Sequence, residues 1–212
     1  MDKNQHKIEW RDTVPVSVQF DDPFYSLDDG VAETRHVFLQ GNDLPARFSD
    51  GFHIAELGFG TGLNFLTALQ AFRDSGSAGR LIFTSFEAYP MAPEDQRRAL
   101  DAHKDLPIEA LTSQTGPDYE LTVIIGDARD MLAAWGGRAD AWFLDGFSPA
   151  KNPEMWGPDL MEMVARHTVP GGTFATYTAA GDIRRGLANA GFTVERVPGF
   201  GRKRHMTCGH LA

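Results

Sequence analysis

Cysteine is almost missing from this sequence: Cys208 is the single one in 212 residues. An intramolecular disulfide is therefore excluded, and so is a thiolate cluster around a metal. Long apolar runs are missing too. None approaches the roughly 20 residues needed to span a bilayer, and the opening MDKNQHKIEW is polar and charged where a signal peptide needs an apolar stretch. A cytoplasmic protein with no membrane partner is the expectation. Cations are in short supply, with 20 Lys and Arg against 29 Asp and Glu and a formal net charge of −9. That balance opposes long-range attraction to phosphate backbones, so any nucleic-acid partner has to be held by a local basic patch or delivered by another protein. The seven histidines show no metal-ligand spacing, and no metal is expected.

What is present describes an ordinary globular chain with room for one sizeable core. From residue 53 onward, short apolar or β-branched runs alternate with helical patterns, the signature of a doubly wound α/β sheet with parallel strands. Strands are expected at HIAELGF, LIFTSFEA, YELTVIIGDA, DAWFLDGF and TFATYTA. The clearest helix is LNFLTALQAFRD, where Leu63, Leu66, Leu69 and Phe72 fall on one face. A second opens near Asp182, buries Ile183, Leu187 and Ala190, and stops at Gly191. Two more are expected at APEDQRRALDAH and after Asn152, the latter interrupted by Gly157 and Pro158. The pattern then changes, because FTVERVP and KRHMTCGHL, separated by Gly199, Phe200 and Gly201, read as a hairpin. Residues 1–50 are less regular and are expected to form a short extension packed over the strand ends of the 51–212 domain.

The strongest local signal is Glu56-Leu57-Gly58-Phe59-Gly60-Thr61-Gly62-Leu63-Asn64, a glycine-rich passage from the first strand into its helix. Such a turn lets backbone approach a ligand closely. A dinucleotide fingerprint wants its third glycine three positions after the second, to seat a pyrophosphate on the helix N-terminus, whereas Gly60 and Gly62 are two apart. Glu56, just before the turn, suits an amino-acid ammonium better than a phosphate. S-adenosylmethionine carries that ammonium and no phosphate. Glu87 ends the second strand where an acidic side chain can accept from both ribose hydroxyls, and Asp127 follows the third where it can accept from an adenine amino group. Each of these carboxylates has the alternative of capping a helix or being solvated.

The fourth strand runs into Asp145-Gly146-Phe147-Ser148-Pro149-Ala150-Lys151-Asn152-Pro153-Glu154-Met155-Trp156. Ligands of open α/β sheets lie outside the strand carboxyl ends, so Asp145 is expected to face the reacting groups. Phe147 and Trp156 either frame a flat substrate or belong to the core, and Lys151 is either a substrate contact or a solvated charge. Arg202, Lys203 and Arg204, with Arg184 and Arg185, are the candidates for the local basic patch.

In order, ELGFGTGLNFL, WFLDGFSPAKNPEMW, AAGDIRRGLANAGF and GFGRKRHM resemble the methyltransferase domain of the MnmC family of bifunctional tRNA wobble-uridine modification proteins, and DDGVAETRHVFLQGNDL is similar too. The resemblance runs from about residue 20 to the C-terminus. It implies a class I S-adenosylmethionine-dependent methyltransferase fold, Rossmann-like and closed by an antiparallel hairpin. It further implies methyl transfer to the exocyclic amine of 5-aminomethyl-2-thiouridine in tRNA, with Gly58, Gly60 and Gly62 lining the donor and Asp145 at the catalytic position. Thr61 and Asn64, inside the same turn, are counted with the cofactor-binding residues. The flavin-dependent oxidoreductase half that prepares the aminomethyl group in that family is not in this sequence, so the expectation is either a separate flavin-dependent oxidoreductase as the partner that supplies the amine or a chain that is an excised domain. The chain departs from the family at Ser148, where alanine is expected, at His205, where glutamate is expected, and in a short segment between Asp101 and Tyr119.

An ordinary aspartate, at pKa ~3.9, is too weak a base to hold a proton from an amine of pKa near 10.4, so orientation of the nitrogen is the role expected of Asp145. Three rival readings stand beside methylation of tRNA: a nicotinamide oxidoreductase using the same turn and Glu87, a non-catalytic partner subunit, and methyl transfer to a small amine.

Overall fold

A computed structural model describes residues 6–212; residues 1–5, the start of the expected extension and of the polar N-terminus, lie outside the described residues. The run HIAEL forms β4 (His53–Leu57), followed by β5 (Leu81–Glu87), β6 (Tyr119–Ile125), β7 (Ala139–Leu144) and β8 (Thr168–Thr176). With β9 (Phe192–Pro198) and β10 (His205–Leu211) they make one seven-stranded sheet in the order β6-β5-β4-β7-β8-β10-β9. β4 through β8 are parallel, and β10 lies between β8 and β9, antiparallel to both. The chain leaves β4 toward β5 on one side and β7 sits on the other, so the crevice between them is the topological switch point where such sheets bind ligands.

Both faces are covered. On one lies α2 (Leu63–Asp74), whose Leu66, Leu69 and Phe72 are fully buried against Phe83 and Phe143, each such side chain contributing about 1.5–3 kcal/mol. On the other lie α4 (Ala128–Ala134), α5 (Pro158–Arg166) and α6 (Gly181–Asn189), which bury Leu132, Leu160, Val164, Ile183 and Leu187 over Trp142 and Phe174. α3 (Pro93–Leu100) is shorter than its sequence pattern suggested.

Three further elements differ from expectation. β8 begins at Thr168, five residues before the expected TFATYTA, because Pro170-Gly171-Gly172 is absorbed as a bulge: Ala139 pairs with Thr168 and Ala141 with Thr173. Pro158 opens α5 as its first helical residue instead of interrupting it, since the missing N–H is one that a helix N-terminus leaves unused. α4 was not anticipated; Asp127 caps it by accepting from the Arg129 N–H at 2.9 Å.

Before β4, residues 6–52 carry a small antiparallel sheet in the order β1 (Ile8–Arg11), β2 (Val14–Ser17), β3 (Asp22–Pro23), then α1 (Gly30–Thr34). A π turn over Arg35–Leu39 and a 3-10 turn over Gln40–Asn42 continue α1 and bury Val37, Phe38 and Leu39 in the α2-side core. These contacts bring Phe20, Phe24, Tyr25 and Glu33 over the carboxyl ends of the parallel strands.

Candidate active site

A cavity of about 760 Å3 opens over the ends of β4 to β8, within the range of about 300–1,000 Å3 typical of small-molecule sites. Its floor is the glycine turn. Gly58 has φ +86°, and a Cβ there would stand 3.4 Å from the Gly146 Cα, so the ends of β4 and β7 approach at backbone distance. Gly60 has φ +52°, and its Cβ would meet the Phe24 ring at 3.0 Å, so the N-terminal segment lies directly on the turn. Gly62 is the residue before α2 and lies outside the cavity lining, whereas Thr61 and Asn64 border it.

Asn64 organises the acidic floor. Its Nδ2 donates to Asp145 Oδ2 at 2.8 Å and to Glu56 Oε1 at 2.9 Å, while its Oδ1 accepts from the Thr34 hydroxyl at 2.7 Å, which fixes the orientation of the amide. Glu56 also accepts from Ser85 Oγ at 2.7 Å and is wholly enclosed, so burial pushes its carboxyl well above the ordinary range. It therefore lies beneath the cavity and outside its lining, enclosed where its position had suggested an open contact to a ligand.

Asp145 does face the cavity. Its Oδ1 accepts from the Gly146 N–H at 2.8 Å, and burial raises the carboxyl to about 7, against the lowering effect of that bond and of Asn64. This corrects the premise that Asp145 is an ordinary weak base. Two carboxyls share the floor, and the one Asn64 amide donates to both.

Glu87, at the end of β5, accepts from the Gly60 N–H at 2.9 Å and the Tyr89 N–H at 2.7 Å, with its pKa raised by burial. A carboxylate has about four acceptor positions, so capacity remains for a pair of hydroxyls. Asp127 borders the cavity as well, but it is paired with Arg129 at 2.5 Å, which lowers its pKa, and its capping bond occupies it further. Arg129 continues to Glu154 at 2.9 Å and so ties α4 to the loop after β7.

The loop residues separate into two roles. Phe147 lines the cavity, stacked on Phe20 with centroids 4.7 Å apart and edge-on to Phe24 at 5.2 Å, with the His6 ring at 5.6 Å. Trp156 is buried in the core instead and donates its indole N–H to the Phe147 carbonyl at 2.9 Å, so it supports the loop and offers no face to a substrate. Lys151 is held by the Asp21 carbonyl and lies 3.6 Å from Asp22 at the rim. Ser148 is held through its backbone: its N–H donates to Asp22 Oδ2 at 2.8 Å and its carbonyl accepts from the Lys151 and Asn152 N–H groups, bonds that alanine would make equally well.

The expected basic patch is divided. Arg202 and Lys203 border the cavity, whereas Arg204 is exposed outside its lining and Arg185 pairs with Asp182 on α6. Lys203 turns inward, 2.8 Å from Glu33 and 4.0 Å from the centroid of the Tyr177 ring. Glu33, Tyr177, Thr34, Ser85 and His6 had not been singled out in the sequence. Only Tyr177 carried a usable signal, since it follows the end of β8 where a parallel sheet delivers residues to its site.

Residues 96–212 match the model of a family of S-adenosyl-L-methionine-dependent methyltransferases. The chain belongs to that family. Among curated relatives of this methyltransferase, the tRNA 5-methylaminomethyl-2-thiouridine biosynthesis bifunctional protein MnmC of Chromobacterium violaceum is 44% identical over 235 residues, covering 100% of this chain and 35% of its own. The protein of the same name from Pseudomonas aeruginosa strain PAO1 is 46% identical over 228 residues, covering 97% of this chain and 35% of its own. The chain thus spans about a third of the length of these relatives. The crystal structure of MnmC2 from Aquifex aeolicus superposes with a TM-score of 0.80 at 26% identity, over 99% of this chain and 72% of that one. Spermidine synthase from Thermotoga maritima shares the fold, with a TM-score of 0.60 at 10% identity.

The cavity fits the methyl donor of the family. The glycine turn admits backbone-close contact that a Cβ would block, and Glu87 retains acceptor capacity toward hydroxyls. None of the described helices is long and apolar enough to cross a membrane.

Proposed function

We propose that this methyltransferase modifies the primary amine of a 5-aminomethyl-2-thiouridine at the wobble position of tRNA, giving 5-methylaminomethyl-2-thiouridine. The observation that carries the reading is the match of 43–46% identity along nearly the whole chain to relatives bearing that biosynthetic name, with Asp145 open to the donor cavity. Gly58, Gly60 and Thr61 hold the donor by backbone approach and Glu87 accepts from its ribose hydroxyls, while Asp127 borders the far end of the site. Phe147, on its Phe20 and Phe24 support, offers the flat surface for the uracil ring.

S-adenosylmethionine supplies, when bound, a methyl group on a sulfonium whose C–S bond breaks as the amine lone pair forms the new N–C bond, the electron pair leaving on sulfur. Asp145 has two tasks in that event. It accepts a hydrogen bond from the amine and so aims the lone pair, and it takes the proton that the nitrogen must lose before passing it to water. Proton transfer from an amine of pKa near 10.4 to an ordinary carboxylate is uphill by about 9 kcal/mol. With Asp145 at about 7, the same transfer costs about 5 kcal/mol, which makes Asp145 a usable general base. Asn64 keeps the carboxylate in place by donating to both Asp145 and Glu56, whose own carboxyl burial pushes well above the ordinary range.

Arg202 and Arg204 are the cations left for the tRNA backbone, and the reaction is assigned to the cytoplasm. The aminomethyl group requires a preceding step, assigned to a flavin-dependent oxidoreductase.

The test is transfer of label from S-adenosylmethionine into tRNA that lacks the terminal modification, followed by nucleoside mass analysis. Growth of 5-methylaminomethyl-2-thiouridine at the expense of the aminomethyl form is expected. Donor binding with no label in the nucleoside refutes the acceptor assignment.

A further inference from the structure

We infer that Glu33 and the face of Tyr177 form the subsite for the acceptor's ammonium, and that Lys203 occupies this subsite from within the chain when no acceptor is bound. The inference rests on the reading that the acceptor is a primary amine. Lys203 itself presents such a group, an alkylammonium on a flexible stem, and its position shows where the protein receives one. The Lys203 ammonium lies 2.8 Å from Glu33 Oε1 and 4.0 Å from the Tyr177 ring centroid, an arrangement of carboxylate and π face that recurs wherever proteins recognise organic cations.

The receiving groups are built in place. Glu33 is only 12% exposed and its second oxygen accepts from the Ser26 N–H at 3.0 Å. The Tyr177 hydroxyl donates to the Gly146 carbonyl at 2.7 Å, which locks the ring beside the residue that follows Asp145, and Trp156 packs edge-on against it at 6.2 Å. Lys203, by contrast, belongs to the loop between β9 and β10 and its side chain is 46% exposed, so it can leave. The cluster shares a field with the proposed base: the Glu33 charge raises the Asp145 carboxyl and the Lys203 charge lowers it. The other ammonium at the rim, Lys151, lies beside the 77% exposed Asp21, and among the described residues no aromatic face lies under it. Exchange of one ammonium for another leaves the charge of the cavity unchanged, which is why an acidic subsite can be kept preformed without an unpaired buried carboxylate.

An internal occupant reduces apparent affinity by the fraction of sites it fills. Removing it must therefore tighten acceptor binding, whereas removing its receiver must weaken it. The experiment measures KM and kcat for tRNA carrying 5-aminomethyl-2-thiouridine on the pH plateau, with K203M and E33Q compared with wild type and donor affinity by calorimetry as the check of folding. K203M is expected to lower the acceptor KM by about threefold to fivefold, and E33Q to raise it by about tenfold or more, each with donor affinity within about twofold. In the K203M protein, n-propylammonium should inhibit at lower concentration than in wild type, and n-propanol at neither. A raised KM in K203M, which a phosphate-binding lysine would produce, overturns the inference. So do shifts of both variants in one direction, the mark of a latch between α1 and the hairpin. Failure of wild type to methylate the amine at all removes the acceptor reading, and this inference with it. Transfer by wild type with the wrong pattern in the variants removes this inference alone.

Discussion

The pH dependence of methyl transfer offers the sharpest check on the proposed role of Asp145. The carboxyl has to be ionised to take the proton, and burial holds its pKa at about 7, so kcat/KM rises with pH through a limb centred there. The limb should move when a group that sets the pKa is changed. Asn64→Leu keeps the volume of the side chain but removes the N–H that reaches Asp145 at 2.8 Å. A hydrogen bond to a charged group is worth about 1.5–3 kcal/mol, which converts to a rise of about 1–2 pH units. Glu33→Gln removes a charge that raises the same carboxyl and should move the limb the other way. The assay is kcat/KM for label transfer into one tRNA preparation at constant ionic strength; a shared acceptor keeps the amine's own titration common to every profile. Donor affinity reports whether each variant is folded. A variant with reduced rate and a limb that has not moved would refute the assignment of the limb to Asp145.

Asp145→Asn should reduce transfer by about 10²–10⁴-fold and leave donor affinity nearly intact; equal losses in both would place the residue in donor binding. The same variant tests burial without any substrate. A carboxyl with a raised folded pKa favours the folded state below its unfolded value near 4 and loses that contribution as pH rises through about 7. Wild type should thus lose about 4 kcal/mol relative to Asp145→Asn across that window in urea unfolding, and a pH-independent difference would count against the burial argument. Trp156→Phe removes the indole N–H from the Phe147 carbonyl, which should cost about 1–3 kcal/mol of stability; a selective rise in acceptor KM with unchanged stability would return Trp156 to the substrate surface. Joint replacement of Arg202 and Arg204 by glutamine should weaken tRNA binding and flatten its salt dependence by up to about two phosphate contacts, and an unchanged slope would show that the contacts lie elsewhere.

The α2 stripe and the glycine turn were legible in the sequence because each is local: apolar positions at helical spacing, and a glycine cluster between a strand and a helix. The hairpin was legible for the same reason. α4 has seven residues, too few to repeat a periodic pattern twice, and the early start of β8 was hidden by Pro170-Gly171-Gly172, which local reasoning takes for a turn and the sheet accepts as a bulge.

By itself, then, the sequence determined the class of the protein, since alternation of strands and helices, the donor turn and the segment from Asp145 to Trp156 are all properties of contiguous residues. Only the tertiary structure decided how the site works. It took Glu56 and Trp156 out of the cavity, brought Glu33 and Thr34 onto its floor from α1, and turned Lys203 inward from the last hairpin. It also set the pKa of Asp145, which depends on how much water surrounds the carboxyl and which dipoles face it. Solvation and convergence of this kind arise from residues distant in the chain, and no local pattern records them.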